Sequence, residues 1–312
     1  MTVQEHIKHA LDSLGMYRSL LRLHPFAGVA VLVYHGVRAD DWPAGTMRHE
    51  MLHVRAQRLD DHCRALRDLC TPISLSDWRA VAAGEARAPE RPALVTFDDG
   101  YRTVLRHALP VLDRHRIPAV VFVCTNPVER QERFWFDAVA EVFGDETADD
   151  AKRLEYGAWR ALADQAAMAA AIDDPHAPLT IAELQILASH PLIAIGAHTA
   201  SHPILARAPL DVQRDEIAKS RTALETWLGR PVNAFAYPNG RRGIDYSADS
   251  IQAVADAGFA DAFAVNEAFA NPCGHRLDSP RFLMHDAITG AELAHRLAVS
   301  WPRSEARERV TG

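Results

Sequence analysis

The strongest constraint on the fold is a series of short apolar runs that alternate with segments of helical periodicity. Each run is rich in large aliphatic, β-branched or aromatic residues and has the length of a buried strand. The runs lie at 29–34, 93–95, 119–124, 192–197, 233–237, 259–265 and 281–284. Helical patterns separate most of them, at 52–70, 102–115, 211–228 and 247–257. This alternation predicts an α/β protein with a parallel sheet.

Polar residues stand where these predicted strands end. They are His35, Asp98, Asp99, Asn126, His198, Tyr237 and His285. Side chains from so many strands converge on one rim of a barrel, whereas in a doubly wound sheet only the loops at a switch point meet. No glycine-rich phosphate loop follows the first strand. We therefore predict a distorted (β/α) barrel of about seven parallel strands.

The length of 312 residues is compatible with two domains, but α/β barrels of this length often form one. We predict a single domain at 29–298, an N-terminal helical segment at 1–28 and a charged tail at 299–312. Residues 126–190 are the least regular part, and we predict a helical insertion that lies over the barrel. Its aromatic cluster at 134–136 is expected to pack the insertion down rather than contact a substrate.

Composition excludes several classes of protein. The chain is 48% hydrophobic and 24% charged, as is ordinary for a globular protein. Its net charge of −7, without a dense basic cluster, argues against binding of nucleic acid or an anionic membrane. No run reaches the roughly 18 apolar residues of a membrane span. The N-terminus lacks a signal-peptide pattern and the four cysteines lack metal-type spacing, so we expect a cytoplasmic protein with reduced thiols.

The chemistry of the chain centres on Asp98 and Asp99, which follow a predicted strand and precede Gly100. Adjacent side chains of a strand point in opposite directions, so the two carboxylates can share a site only if the backbone bends between them. Because two close carboxylates repel, they are best suited to different tasks, such as one metal ligand and one proton acceptor. An Asp-Asp-Gly tripeptide alone is more often a solvated turn.

A second motif favours a functional site over a solvated turn. His198 and His202 follow another apolar run, and a separation of four would bring them together on one face of a helical turn. Such a pair could be accidental in a chain with 16 histidines. Together with an aspartate at a strand end, however, it forms an open Asp-His-His site. Imidazole and carboxylate ligands suit zinc or a neighbouring divalent transition metal.

These motifs resemble those of the NodB-type polysaccharide deacetylases. Segments 96–101 and 198–202 are similar to the first two motifs of the family, and 235–240 is similar to the third. Segment 33–35 resembles the opening strand of the branch that acts on poly-N-acetylglucosamine and other exopolysaccharides. The resemblance spans residues 29–298. It implies a distorted (β/α) barrel and metal-dependent removal of acetyl groups from an N-acetylated carbohydrate.

Carried over motif by motif, the resemblance assigns Asp99, His198 and His202 to the metal and Asp98 to the general base. The metal is expected to be Zn²⁺, with Co²⁺, Ni²⁺ or Mn²⁺ as further candidates. Arg281, in a Pro-Arg pair similar to that of the exopolysaccharide branch, would orient Asp98 through a charge-assisted hydrogen bond.

Two roles are less closely defined by the resemblance. The turn at Tyr237, Pro238 and Asn239 would supply a backbone N–H to the oxyanion, and because proline has none, the donor is Tyr237 or Asn239. The family usually has an aromatic residue where Asn239 stands. His285, which follows the last predicted strand, is the first candidate for the general acid, and His35 is the second.

Other functions are compatible with the same fold. The chain could hydrolyse another non-peptide carbon–nitrogen bond, or it could be a carbohydrate-binding relative that has lost its chemistry. Retention of Asp98, Asp99, His198 and His202 argues against such a loss. A metal-dependent sugar isomerase on a similar barrel would need more carboxylates and a lysine at the strand ends. Release of acetate would separate deacetylation from all of these.

Overall fold

The computed structural model describes residues 2–171 and 173–300. Its strands begin and end close to the apolar runs of the sequence. They are β1 (Ala30–Tyr34), β2 (Val37–Arg38), β3 (Val54–Arg55), β4 (Thr71–Pro72), β5 (Pro92–Phe97), β6 (Ala119–Val123), β7 (Ile193–Ala197), β8 (Ala234–Ala236), β9 (Asp261–Phe263) and β10 (Phe282–Leu283). In β1, β5 and β6 every residue is buried, as expected for strands covered on both faces.

Seven of these strands form one curled parallel sheet in the order β10-β1-β5-β6-β7-β8-β9. The short strand β4 pairs with β5, while β2 and β3 form a separate two-stranded pair. A parallel bridge between Phe263 and Ser279, just before β10, links the two ends of the sheet. The architecture is the distorted (β/α) barrel predicted from the sequence. The carboxyl ends of its strands lie at one rim, which is where the polar residues follow.

Helices surround the sheet. They are α1 (Val3–Ser13), α2 (Met16–Leu23), α3 (Ala56–Leu69), α4 (Leu75–Ala82), α5 (Leu109–His115), α6 (Thr125–Arg130), α7 (Trp135–Phe143), α8 (Asp145–Ala151), α9 (Tyr156–Ala166), α10 (Ile181–Ser189), α11 (Leu210–Leu228), α12 (Ala248–Asp256) and α13 (Gly290–His295). None of the helices in the described part of the chain is both long enough and apolar enough to cross a membrane.

The N-terminal segment, predicted to be helical, consists of the two helices α1 and α2. The chain turns at Gly15, whose φ of 70° lies in the left-handed region that glycine adopts without strain. Helix α2 buries Tyr17 and Leu21, and Lys8 of α1 forms an ion pair with Glu292 of α13. The segment therefore packs on the barrel.

The predicted helical insertion is present between β6 and β7, where helices α6 to α10 follow one another. Helices α7, α8 and α9 share a small apolar core of their own, centred on Trp135 and Trp159. The boundaries predicted for the insertion and for the single domain stay predictions. Of the predicted tail, residues 301–312 lie outside the described part. All four cysteines are free thiols, and Cys273 is the exposed one.

Candidate active site

The backbone bends between the two adjacent carboxylates. Asp98 continues the sheet beyond β5, since its N–H donates to the Tyr34 carbonyl at 2.9 Å. Asp99 then has a φ of 74°, in the left-handed region that costs a non-glycine residue roughly 1–2 kcal/mol. Gly100 follows with a φ of 92°. The space beside it is too tight for a side chain, because a Cβ there would lie 3.1 Å from the Val123 side chain. Both carboxylates are buried at the rim.

Asp98 is held by a buried arginine. The two terminal nitrogens of Arg281 each donate to one oxygen of Asp98, both at 2.7 Å, and Arg281 also contacts Thr96 Oγ1 at 3.1 Å. The structure thus contains the charge-assisted hydrogen bonds expected between these two residues. Burial raises the pKa of Asp98, but the charges of Arg281 and then His198 outweigh burial and hold that pKa below its usual value.

The segment with the two histidines is a loop, so the helical turn predicted there is wrong. Thr199 and His202 have φ values of 63° and 60°. The His202 N–H donates to Thr199 Oγ1 at 3.0 Å. From α11, the buried Glu216 carboxylate accepts the N–H groups of Ala200 and Ser201 at 3.0 and 2.7 Å. Tertiary hydrogen bonds therefore bring the two histidines together, where we had expected a helix to do so.

Asp99, His198 and His202 form one cluster. Their ligand atoms all lie within 4.8 Å of one another, and the three residues are buried. The Nε2 atoms of His198 and His202 are 3.5 and 3.3 Å from Asp99 Oδ1. Within the described residues this oxygen accepts no hydrogen bond. A buried carboxylate oxygen without a donor, facing two imidazole nitrogens, fits a divalent cation.

The protonation of the cluster also fits a cation. His198 Nδ1 lies 2.7 Å from the Ala236 carbonyl, which can only accept, so Nδ1 donates its proton there and Nε2 has the lone pair when the ring is neutral. Burial raises the pKa of Asp99, but His198 and His202 outweigh burial and hold that pKa well below its usual value. Asp99 is thus a carboxylate ready to bind a metal.

A cavity of about 290 Å³ opens beside this cluster. Its lining includes Asp98, Asp99, His202, His35, His53 and Asn239. His35 and His53 each have a buried ring nitrogen that finds no partner in the described part of the chain. Positive charge on His35 would lower the pKa of both carboxylates. The cavity is thus lined by a carboxylate oxygen and by imidazole nitrogens that have no hydrogen-bond partner among the described residues.

Of the two histidines predicted as the general acid, the structure brings only His35 into the cavity. His285 is absent from the lining, to which β10 contributes Leu283 instead. Burial, with a smaller effect of the Arg296 charge, lowers the pKa of His285, and its buried Nδ1 has no hydrogen-bond partner among the described residues. The sequence pattern placed His285 after a strand correctly, but its side chain does not line the cavity.

The turn after β8 offers one backbone donor and not two. The Tyr237 N–H donates to the Phe263 carbonyl at 3.1 Å and its hydroxyl donates to the Leu277 carbonyl at 2.9 Å, so Tyr237 is not available to an oxyanion. Asn239 has a φ of 56°, lines the cavity, and its N–H meets no acceptor among the described residues. Of the two N–H groups named from the sequence, that of Asn239 is therefore the one without an acceptor among the described residues.

Several residues of the site were missed from the sequence. His53 and Glu216 lie outside any motif, and only the folded chain brings them to the rim. The aromatic cluster packs as expected: Phe134 and Trp135 are buried, and the partly buried Phe136 packs against the apolar cores. Phe136 lines the cavity, with its ring centre 5.0 Å from that of His202. An aromatic cluster in a loop beyond a strand end was the signal that could have located it.

A sequence profile of the polysaccharide deacetylases matches residues 85–262, more than half of the chain. The matched span includes Asp98, Asp99, His198 and His202. The chain belongs to the polysaccharide deacetylase family. The family predicted from the motifs is thereby confirmed. Arg281 and His35 lie outside the matched span.

Individual relatives agree with this assignment. The chain is 29% identical over 140 residues to the poly-beta-1,6-N-acetyl-D-glucosamine N-deacetylase of Escherichia coli strain K12. That match covers 44% of this chain and only 18% of the relative.

Among solved structures, the Streptococcus pyogenes deacetylase PplD, in complex with acetate, superposes with a TM-score of 0.64 at 19% identity, covering 87% of this chain and 99% of that one. IcaB from Ammonifex degensii superposes with a TM-score of 0.63 at 20% identity, covering 87% and 97%. These likenesses show a shared fold.

Proposed function

We propose that this chain is a metal-dependent hydrolase that removes N-acetyl groups from an N-acetylated carbohydrate, either a polysaccharide or a lipid-linked glycan intermediate. The observation that carries the proposal is the buried cluster of Asp99, His198 and His202 with Asp98 beside it in one cavity. Family membership supports it, as do the name of the Escherichia coli relative and the acetate in the PplD complex.

Asp99, His198 and His202 would hold the metal, with Zn²⁺ preferred for a carboxylate and two imidazoles and Co²⁺, Ni²⁺ or Mn²⁺ as substitutes. Three protein ligands leave positions open, as in catalytic sites. A divalent ion held there would supply Lewis acidity toward the acetamide carbonyl and lower the pKa of a water molecule toward neutrality.

Asp98 would be the general base that takes a proton from the attacking water. Because Arg281 engages both oxygens and keeps the pKa of Asp98 low, Asp98 is ionised, which is the form that can accept a proton. Arg281 also restricts the orientation of the carboxylate. A positioned general base contributes about 10²–10⁴-fold to the rate.

The remaining steps need an oxyanion donor and an acid. The Asn239 N–H would donate to the oxygen of the tetrahedral intermediate. His35 would donate a proton to the departing sugar nitrogen, since it lines the cavity and His285 does not. Pro238 has no N–H but sets the turn that presents Asn239. The cytoplasmic location expected from the sequence stays a prediction.

Acetate release from N-acetylglucosamine oligomers tests the proposal. We expect the zinc-loaded protein to release acetate, and chelation or Asp98→Asn to stop the release while Asp98→Asn still binds zinc. Stoichiometric zinc binding without acetate release would contradict an N-acetylglucosamine polymer as the substrate and favour a lipid-linked sugar or another amide. The absence of both would favour a carbohydrate-binding protein. Release that persists in Asp98→Asn would contradict the role of the base.

A further inference from the structure

Three consecutive residues of helix α7 contact the loops that carry the metal ligands. Trp135 Nε1–H donates to the His202 carbonyl at 2.9 Å. The ring of Phe136 meets the ring of His202 edge-on, with 5.0 Å between centres. Asp137 Oδ2 accepts the Tyr101 hydroxyl at 2.6 Å, and Tyr101 lies two residues beyond Asp99. One turn of the insertion thus contacts both the loop that carries Asp99 and the loop that carries His198 and His202.

Both loops need external support. Asp99 and His202 have positive φ values, and non-glycine residues keep such conformations only where the surrounding structure holds them. The barrel supplies one contact to Asp99, whose carbonyl accepts the Cys124 N–H at 2.9 Å. The His202 carbonyl instead accepts from Trp135, a residue of the insertion.

The far end of the insertion supports the Asp99 turn as well. The Leu179 N–H donates to the Gly100 carbonyl at 3.0 Å, and the Arg102 N–H donates to the Ala177 carbonyl at 2.9 Å. The turn that bears Asp99 is therefore held by backbone from the end of the insertion and by the Asp137 side chain from its second helix. Asp137 is completely buried, so no water competes for this hydrogen bond.

We propose that α7 belongs to the active centre, where Trp135 and Asp137 are positioning residues that hold His202 and the Asp99 turn in metal-binding geometry. The inference rests on the proposed function and adds a role for the insertion. Partners that orient ligands from behind typically change metal affinity or activity by 10–100-fold when they are removed. The competing view is that Trp135 and Asp137 serve only to pack the insertion.

The chain offers a matched pair of tryptophans to separate these views. Trp159 is buried in the same apolar core, and its Nε1–H has no acceptor in the described part of the chain. Trp135→Phe removes the donor to the His202 carbonyl, while Trp159→Phe removes an indole of the same size that donates to nothing. Zinc affinity is measured on each metal-free protein by competition with a chromogenic chelator, with circular dichroism as the check of folding.

We expect Trp135→Phe to weaken zinc binding by about 10–100-fold and Trp159→Phe to leave it at the wild-type value. If the two variants bind zinc equally well, either at the wild-type affinity or with the same loss of affinity, the positioning role is overturned. If wild-type protein itself binds no zinc, both the proposed function and this inference fail. If wild-type protein binds zinc and the two variants do not differ, only the inference fails.

A second pair tests the other contact and guards against misfolding of Trp135→Phe. Asp137→Asn keeps a carbonyl oxygen to accept the Tyr101 hydroxyl, whereas Asp137→Leu keeps the branching at Cγ and has no acceptor. We expect Asp137→Asn to bind zinc like the wild type and Asp137→Leu to lose about tenfold or more. Similar affinities for the two would show that the hydrogen bond does not position the ligands.

Discussion

Two buried aspartates stand at opposite ends of the barrel, and their surroundings differ. Asp261, the first residue of β9, accepts from Trp78 Nε1 at 2.9 Å, from Arg79 Nε at 2.7 Å and from Arg276. Asp99, at the other end, has an oxygen that accepts no hydrogen bond within the described residues and faces two imidazoles. Both side chains are almost inaccessible to solvent.

The difference separates a structural carboxylate from one built for a ligand. A buried charge is tolerated when surrounding donors satisfy it, and Asp261 has donors on both oxygens. Asp99 combines a left-handed backbone with an unsatisfied oxygen, which is costly unless a cation completes the site. Burial and charge alone do not distinguish the two residues; the count of donors does.

Removing the structural carboxylate should have the largest effect. We expect Asp261→Ala to lower the free energy of unfolding by about 3 kcal/mol, because the buried Trp78 Nε1–H would lose its acceptor and the partly exposed Arg79 and Arg276 would lose their buried partner. Denaturant unfolding with and without zinc measures this. The zinc-induced increase in stability should survive in the folded variant; its disappearance would mean that the two ends of the barrel are not independent.

Removing the candidate metal ligand Asp99 should instead affect the stabilisation by zinc. Zinc at 100 times its dissociation constant should stabilise wild-type protein by about 2.7 kcal/mol. Asp99→Asn should abolish this increase together with acetate release, because a neutral amide replaces the charged ligand. Thermal unfolding with and without zinc is the measurement. A zinc-dependent shift of wild-type size in Asp99→Asn would remove the basis of the comparison.

His35 and His285 should also differ, in their contribution to kcat. His35→Gln should lower kcat by about 10²-fold, the lower end of the range for loss of a general acid. His285→Gln, which changes a residue outside the cavity lining, should retain wild-type kcat. Steady-state kinetics of both zinc-loaded variants checks this. Greater loss in His285→Gln would reverse the assignment.

The smallest effect concerns a third buried aspartate. Burial raises the pKa of Asp137 to about 7. The folded state therefore binds its proton more tightly than the unfolded state, and the stability due to this group falls as pH rises from about 4 to about 7. Relative to Asp137→Asn, wild-type protein should lose roughly 1 kcal/mol between pH 6 and pH 7. Urea unfolding at both pH values measures the difference; parallel pH profiles would contradict the raised pKa.

Local sequence determined much of the molecule. The apolar runs located the strands of the sheet to within a few residues, because a strand buried on both faces must be continuously apolar. Parallel strands place their carboxyl ends at one rim, so Asp98, Asp99, His198 and His202 were expected to converge before any coordinates were known. The residues and spacing of the motifs also predicted the family.

Only the tertiary structure decided the remaining contacts. Whether Tyr237 or Asn239 keeps a free N–H depends on pairing with β9, a strand that lies far along the chain. Whether His35 or His285 reaches the cavity depends on where each strand leaves the sheet. Trp135 and Glu216 reach the histidine loop across the fold, through hydrogen bonds that no periodicity encodes. Hydrophobic pattern is a local property of the chain, whereas the satisfaction of buried polar groups depends on residues distant in sequence.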